Sequence, residues 1–151
     1  MPDNKDLLDL IDAFIENELS LADYYKACLT TYPENAEKWQ ALQREEEFHA
    51  EVFRRIRASA EEHPENWHAG NFFAQTVRLV TKSVKDKTAE LQQGKLNARY
   101  VVNFIADVEQ SLIESNISKS FATELADFQQ LLNRVQNETV KHKQLLLSLR
   151  A

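Results

Sequence analysis

Two glycines and three prolines in 151 residues leave little material for turns. A fold of many short strands needs turns at close intervals, so this shortage favours a few long helices. The single cysteine, Cys28, excludes an internal disulfide framework and a thiolate metal cage. A basic excess is missing too: 18 Lys and Arg face 24 Asp and Glu, a net charge of −6. Nucleic acid, which demands a basic surface, is therefore not an expected partner. No apolar run reaches the length of a membrane span, and the beginning, Met1-Pro2-Asp3-Asn4-Lys5-Asp6, is polar. These absences together point to a protein of the reducing cytoplasm with no membrane partner. What is present, 43% hydrophobic and 28% charged residues, suffices for one domain with a sizeable core over residues 1–151.

Helical periodicity runs through the chain. Leu7, Ile11, Phe14, Leu21 and Tyr25 recur at steps of a buried seam, predicting a helix from about Lys5 to Thr31 that stops at Tyr32-Pro33. A second, from about Glu34 to Glu62, carries Trp39, Leu42, Phe53 and Ile56. The stretch from His63 to Gly70 reads as a loop. A third helix, about Asn71 to Gln93, is marked by Phe73, Val77, Val80, Val84 and Leu91, and Gly94 is placed to end it. A fourth, about Leu96 to Ser118, aligns Val102, Ile105 and Leu112, and the last, about Ser120 to Leu149, carries Leu125, Phe128, Val135, Leu145 and Leu149. The expected organisation is all-α: a helical hairpin at 5–62, a long crossover with its own helix at 63–95, and a second hairpin at 96–149. The charges of the third helix, Lys82, Lys85, Asp86, Lys87 and Glu90, with Phe72 and Phe73 before them, suit a cover for the other helices or a homodimer contact.

Four seams are interrupted near mid-length by polar residues. Glu18 stands between Phe14 and Leu21, Glu46 and His49 between Leu42 and Phe53, Glu109 between Ile105 and Leu112, and His142 between Val135 and Leu149. An ionised carboxylate buried without partners costs several kcal/mol, so four such interruptions call for a common cause. In antiparallel helices these positions converge, and carboxylate and imidazole ligands around one centre suit iron, manganese or zinc. The other reading of the same residues is a metal-free buried network in which carboxylates share protons or pair with histidines. A weak internal repeat accompanies the pattern: Glu18-Leu19-Ser20-Leu21 resembles Glu109-Gln110-Ser111-Leu112, with a histidine 31 residues after the first Glu and 33 after the second.

A lone Glu on one helix, Glu-x-x-His on the next and a second such hairpin later resembles the ferritin-like superfamily, and within it the rubrerythrin-like proteins. The resemblance covers about residues 7–149 and implies an antiparallel four-helix bundle with an additional helix in the crossover. It implies a di-iron or single-metal site built from Glu18, Glu46, His49, Glu109, Glu138 and His142, with oxidase- or peroxidase-type chemistry. One residue departs from the pattern. Glu-x-x-His ending at His142 requires Glu at 139, where this chain has Thr139, while Glu138 stands next door, about 100° away around the helix. Glu138 either reaches the site by another rotamer or faces solvent, and a weakened second metal position is expected. The paired Cys-x-x-Cys motifs of rubrerythrins are also missing, so electrons for any redox chemistry come from an external donor. If the ligand set has lost its metal, a structural or protein-interaction role remains.

Neighbouring residues carry blander expectations. Glu45 and Glu47 read as a solvated face, His63 and His68 as loop residues, Cys28 as a buried small residue, and Tyr24, Tyr25 and Tyr100 as packing.

Overall fold

The computed structural model describes residues 4–70, 73–115 and 120–149. The chain is almost entirely helical. The described residues include five long helices, α1 (Asn4–Thr31), α2 (Ala36–Glu62), α3 (Ala74–Gln92), α4 (Ala98–Ser115) and α5 (Ala126–Ser148). Two three-residue strands, β1 (Trp67–Ala69) and β2 (Phe121–Thr123), form a small antiparallel ladder. Asn71 and Phe72 of the expected third helix, and residues 116–118 of the fourth, lie outside the described residues.

Helix boundaries follow local chemistry. α1 stops at Thr31, before Tyr32-Pro33, and a single 3₁₀ turn over Pro33–Asn35 leads into α2. α3 closes on Gly94, whose φ of 72° lies in the left-handed region. The Lys95 amide then reaches the Glu90 carbonyl at 3.0 Å and the Gly94 amide the Leu91 carbonyl at 3.1 Å, so two otherwise orphaned acceptors are satisfied. Asn97 begins α4, its Oδ1 accepting from the Tyr100 amide at 2.8 Å.

Side-chain pairs give the directions of packing. Phe14 stacks on Phe53 and Tyr25 on Trp39, so α1 and α2 are antiparallel. α5 meets α4 through His142 and Glu109, and again through Gln136 and the Ile113 carbonyl, also antiparallel. His49 meets Glu138 and His142 meets Glu45, which places α5 antiparallel to α2. α3 lies along α1, tied by the Arg78 guanidinium on Asp9 (2.7 and 3.1 Å) and by Thr81 Oγ1, which donates to Asn17 Oδ1 at 3.1 Å.

The apolar core falls into two clusters. One gathers Leu21, Tyr24, Trp39, Leu42, Ile105 and Leu146; the other gathers Ile11, Phe14, Phe53, Ile56, Leu132 and Val135. Along α1, α2 and α5 the segments between them are those carrying Glu18, Glu46 with His49, and Thr139 with His142, all buried. Burying one large apolar side chain contributes about 1.5–3 kcal/mol. The two clusters supply many such contributions and hold a polar layer that would oppose folding by itself.

Three expectations need correcting. The 63–70 segment is not only loop: after a 3₁₀ turn at Pro64–Asn66 it forms β1, with Trp67 opposite Thr123 and Ala69 opposite Phe121. The last helix begins at Ala126 rather than near Ser120, because 121–123 alternate buried, exposed, buried in β2. Phe121 is drawn there by the rings of Phe14 and Phe53, at 5.3 and 6.0 Å between centroids, and Thr123 Oγ1 donates to the Asn66 carbonyl at 2.8 Å. Phe73, expected on the α3 seam, precedes the helix and is 73% exposed. Among the described residues no helix is long and apolar enough to cross a membrane.

Candidate metal centre

Helix α1 contributes Glu18, α2 contributes Glu46 and His49, α4 contributes Glu109 and α5 contributes His142. All five side chains are buried, at 2% exposure or less. Each sits where a 3–4 repeat would put an apolar residue, so the packing that buries the seams carries these groups inward.

They assemble into two triads that share one member. Glu18, Glu46 and His49 form the first, and Glu46, Glu109 and His142 the second; in each, one ligand atom per residue lies within 4.8 Å of the others. His49 Nδ1 is 3.5 Å from Glu46 Oε2 and 3.8 Å from Glu18 Oε2. His142 Nδ1 is 2.9 Å from Glu46 Oε1 and 3.5 Å from Glu109 Oε1. The Glu46 carboxylate thus turns one oxygen to each histidine. The two imidazole rings lie nearly parallel, 5.5 Å apart.

The inward-facing atoms have nothing else to bind. Among the described residues, Glu18 Oε2, both Glu46 oxygens, His49 Nδ1, Glu109 Oε2 and His142 Nδ1 are buried with no hydrogen-bond partner. Even the 2.9 Å approach of His142 Nδ1 to Glu46 lacks the alignment of a hydrogen bond. Buried polar atoms are nearly always satisfied, and a shared ligand is one way to satisfy such a cluster of orphans. The spacing fits a cation. Bonds of about 2.0–2.2 Å to nitrogen and carboxylate oxygen place adjacent donors roughly 3–3.5 Å apart in tetrahedral or octahedral geometry.

The outward-facing nitrogens are engaged, and the arrangement is crossed. His49 Nε2, on α2, donates to Glu138 Oε2 on α5 at 2.8 Å. His142 Nε2, on α5, donates to Glu45 Oε2 on α2. Glu138 also accepts from Arg134 Nε at 2.6 Å, and that guanidinium lies 4.3 Å from the centre of the Phe48 ring. Glu138 is 13% exposed and belongs to neither triad; Glu45 is 46% exposed. Glu138 thus meets the site from outside, through His49. Glu45, read from sequence as solvated, is its counterpart. The signal for both was the same spacing, a Glu four residues before each histidine.

Thr139 does face inward, at 3% exposure, but its hydroxyl donates to the Val135 carbonyl of its own helix at 2.8 Å. Tyr25, expected only as packing, donates its hydroxyl to Glu109 Oε1 at 2.6 Å. Tyr24 bonds to the Val101 carbonyl, Cys28 is buried in the apolar cluster, and His63 is exposed beside Glu65.

Without a cation, protons balance the charge. Burial and the facing Glu46 charge hold the Glu18 carboxyl well above the usual carboxylate range. Burial and the Glu109 charge also push Glu46 upward, but Glu18, His142 and His49 outweigh them and leave Glu46 low. Burial opposes charge on His49, yet Glu138, Glu18 and Glu46 push its imidazole up to about 12. His142 rises likewise against burial, through Glu109, Glu45 and Glu46. The imidazolium of His49, aided by Arg134, holds Glu138 down to about 2 against the cost of burial. Burial and the Glu109 and Glu46 charges raise the Tyr25 phenol, which stays a donor.

Comparison of the chain with protein-family models, with curated proteins and with solved structures gave no match.

Proposed function

We propose that this protein binds a pair of transition-metal ions in the buried carboxylate–histidine layer, in a ferritin-like four-helix bundle formed by α1, α2, α4 and α5 with α3 in the crossover. The observation that carries the reading is the pair of buried triads joined by Glu46, with orphaned donor atoms turned toward one another. Glu18 and His49 would hold one ion, Glu109 and His142 the other, and Glu46 would bridge them. One imidazole nitrogen and two carboxylate oxygens per ion suit iron or manganese, and zinc by charge and ligand type. An iron pair supplies one-electron steps at each ion toward oxygen or peroxide, and we assign the protein to that oxidase or peroxidase class.

The chain's own residues do the rest of the work. Glu46 would offer one carboxylate oxygen to each position, as it turns one to each histidine. Glu45 and Glu138 hold the histidines from behind, and Tyr25 fixes one oxygen of Glu109. The apolar clusters on either side exclude bulk water. With one buried cysteine, the chain has no thiolate relay of its own, so reducing equivalents come from an external donor.

The second reading is a metal-free helical protein in a structural or interaction role. It is favoured by the crossed imidazolium–carboxylate pairs, which neutralise much of the layer without any cation. Metal analysis separates the two. Protein produced with iron or manganese and purified without chelator is expected to carry between one and two equivalents, whereas less than about a tenth of an equivalent of every transition metal establishes the metal-free reading.

A further inference from the structure

We propose that Glu45 and Glu138 are positioning residues that act across the helix pair: Glu138 on α5 sets the imidazole of the Glu18–Glu46–His49 triad, and Glu45 on α2 sets that of the Glu46–Glu109–His142 triad. The proposal rests on the metal-centre reading above and assigns roles opposite to those that sequence proximity suggests. Glu138 stands four residues before His142 and invites assignment to that histidine's centre. Its Oε2 instead lies 2.8 Å from Nε2 of His49, on the other helix. Glu45 stands four residues before His49 and binds Nε2 of His142.

Geometry decides what such a contact does. An imidazole has two nitrogens on opposite edges of the ring, and engaging one with a carboxylate commits the other to face away. In both histidines the committed nitrogen is Nδ1, and both Nδ1 atoms lack another hydrogen-bond partner. A carboxylate behind a metal-bound histidine orients the ring and raises its basicity, and its loss weakens metal affinity about 10–100-fold. Neither Glu45 nor Glu138 belongs to a triad, so each acts through the ring it holds. Because each carboxylate comes from the partner helix, correct ring orientation depends on α2 and α5 being docked. A helix alone presents the Glu and the His but not the contact.

Cobalt(II) tests this directly, since its visible absorption reports ligand geometry at each centre. Cobalt is titrated into the wild type and into two backgrounds, His142→Ala, which leaves the His49 triad, and His49→Ala, which leaves the His142 triad. Glu138→Ala is expected to weaken cobalt binding roughly 10–100-fold and to shift the spectrum in the His142→Ala background only. Glu45→Ala is expected to do so in the His49→Ala background only. Glu138→Gln and Glu45→Gln keep a neutral acceptor at the ring and should recover part of the affinity. Circular dichroism establishes folding of each variant; where an alanine variant fails to fold, the glutamine variant is read for the same crossed contrast. Glu138→Ala acting in the His49→Ala background would make Glu138 a member of the His142 centre and overturn the crossed assignment. Unchanged affinity and spectra in all variants, with cobalt bound normally by the wild type, would overturn the positioning role and leave the metal centre standing. No cobalt bound by the wild type would overturn both.

Discussion

At position 139 the ferritin-like pattern that the chain resembles has a glutamate, and this chain has a threonine. Thr139 is buried between the apolar clusters, and its hydroxyl is turned back onto the Val135 carbonyl. From sequence, its place beside His142 suggests a deficit confined to one metal. The geometry spreads the deficit, because each triad has one histidine, one carboxylate of its own and the shared Glu46. Thr139 is buried on α5 three residues before His142, so a carboxylate there would add an oxygen to a layer in which both triads share Glu46. Thr139→Glu is therefore expected to tighten both ions rather than to create a second site, seen as a common shift of two binding steps in a metal titration. Glu46→Ala should remove both steps at once, since it takes an oxygen from each triad. Loss of one step with the other intact would contradict the shared role of Glu46.

The elements show why helix positions were readable and the strands were not. The end of α3 depends on Gly94, whose φ of 72° is unfavourable for residues with a Cβ. A Cβ there would meet nothing within 4 Å, so Gly94→Ala isolates the backbone effect. It should cost roughly 1–2 kcal/mol in denaturant unfolding with an unchanged slope. Phe121→Ala should cost more, about 3–5 kcal/mol, because the ring is buried against Phe14 and Phe53 and its removal leaves a cavity. The Phe121–Thr123 segment offers only three residues, too few for alternation to stand out against helical spacing. Its extended form comes from a partner strand more than fifty residues earlier, which no local pattern records.

For the whole molecule, the polar layer and the stability of the fold are linked. Metal that binds only the folded protein stabilises it by about 2.7 kcal/mol at a free concentration 100 times Kd. For a domain of this size that corresponds to a rise of about 5–11 °C in Tm. Thermal unfolding with and without iron(II) or manganese(II) under anaerobic conditions measures it, and a chelator should reverse the rise. His49→Ala should still fold and lose the part of the increment that the Glu18–Glu46–His49 triad contributes, because that triad is then without its imidazole. An identical Tm with and without metal in both proteins would support the metal-free network.

Periodicity by itself determined the helices, the buried seams and the depth of Glu18, Glu46, His49, Glu109 and His142, because burial on a helix is a matter of angle and the angle is written in residue spacing. The expectation of a carboxylate at 139 came from the resemblance to the ferritin-like pattern and not from periodicity. The contacts of Glu45 and Glu138 were decided only by tertiary packing. Each lies one residue from its seam, about 100° around the helix, at the border where α2 and α5 meet. A residue at such a border faces solvent on an isolated helix and a partner's side chain on a docked one. Spacing therefore placed Glu138 near His142 and left Glu45 on a solvated face, while the docking of α2 on α5 gave Glu138 to His49 and Glu45 to His142.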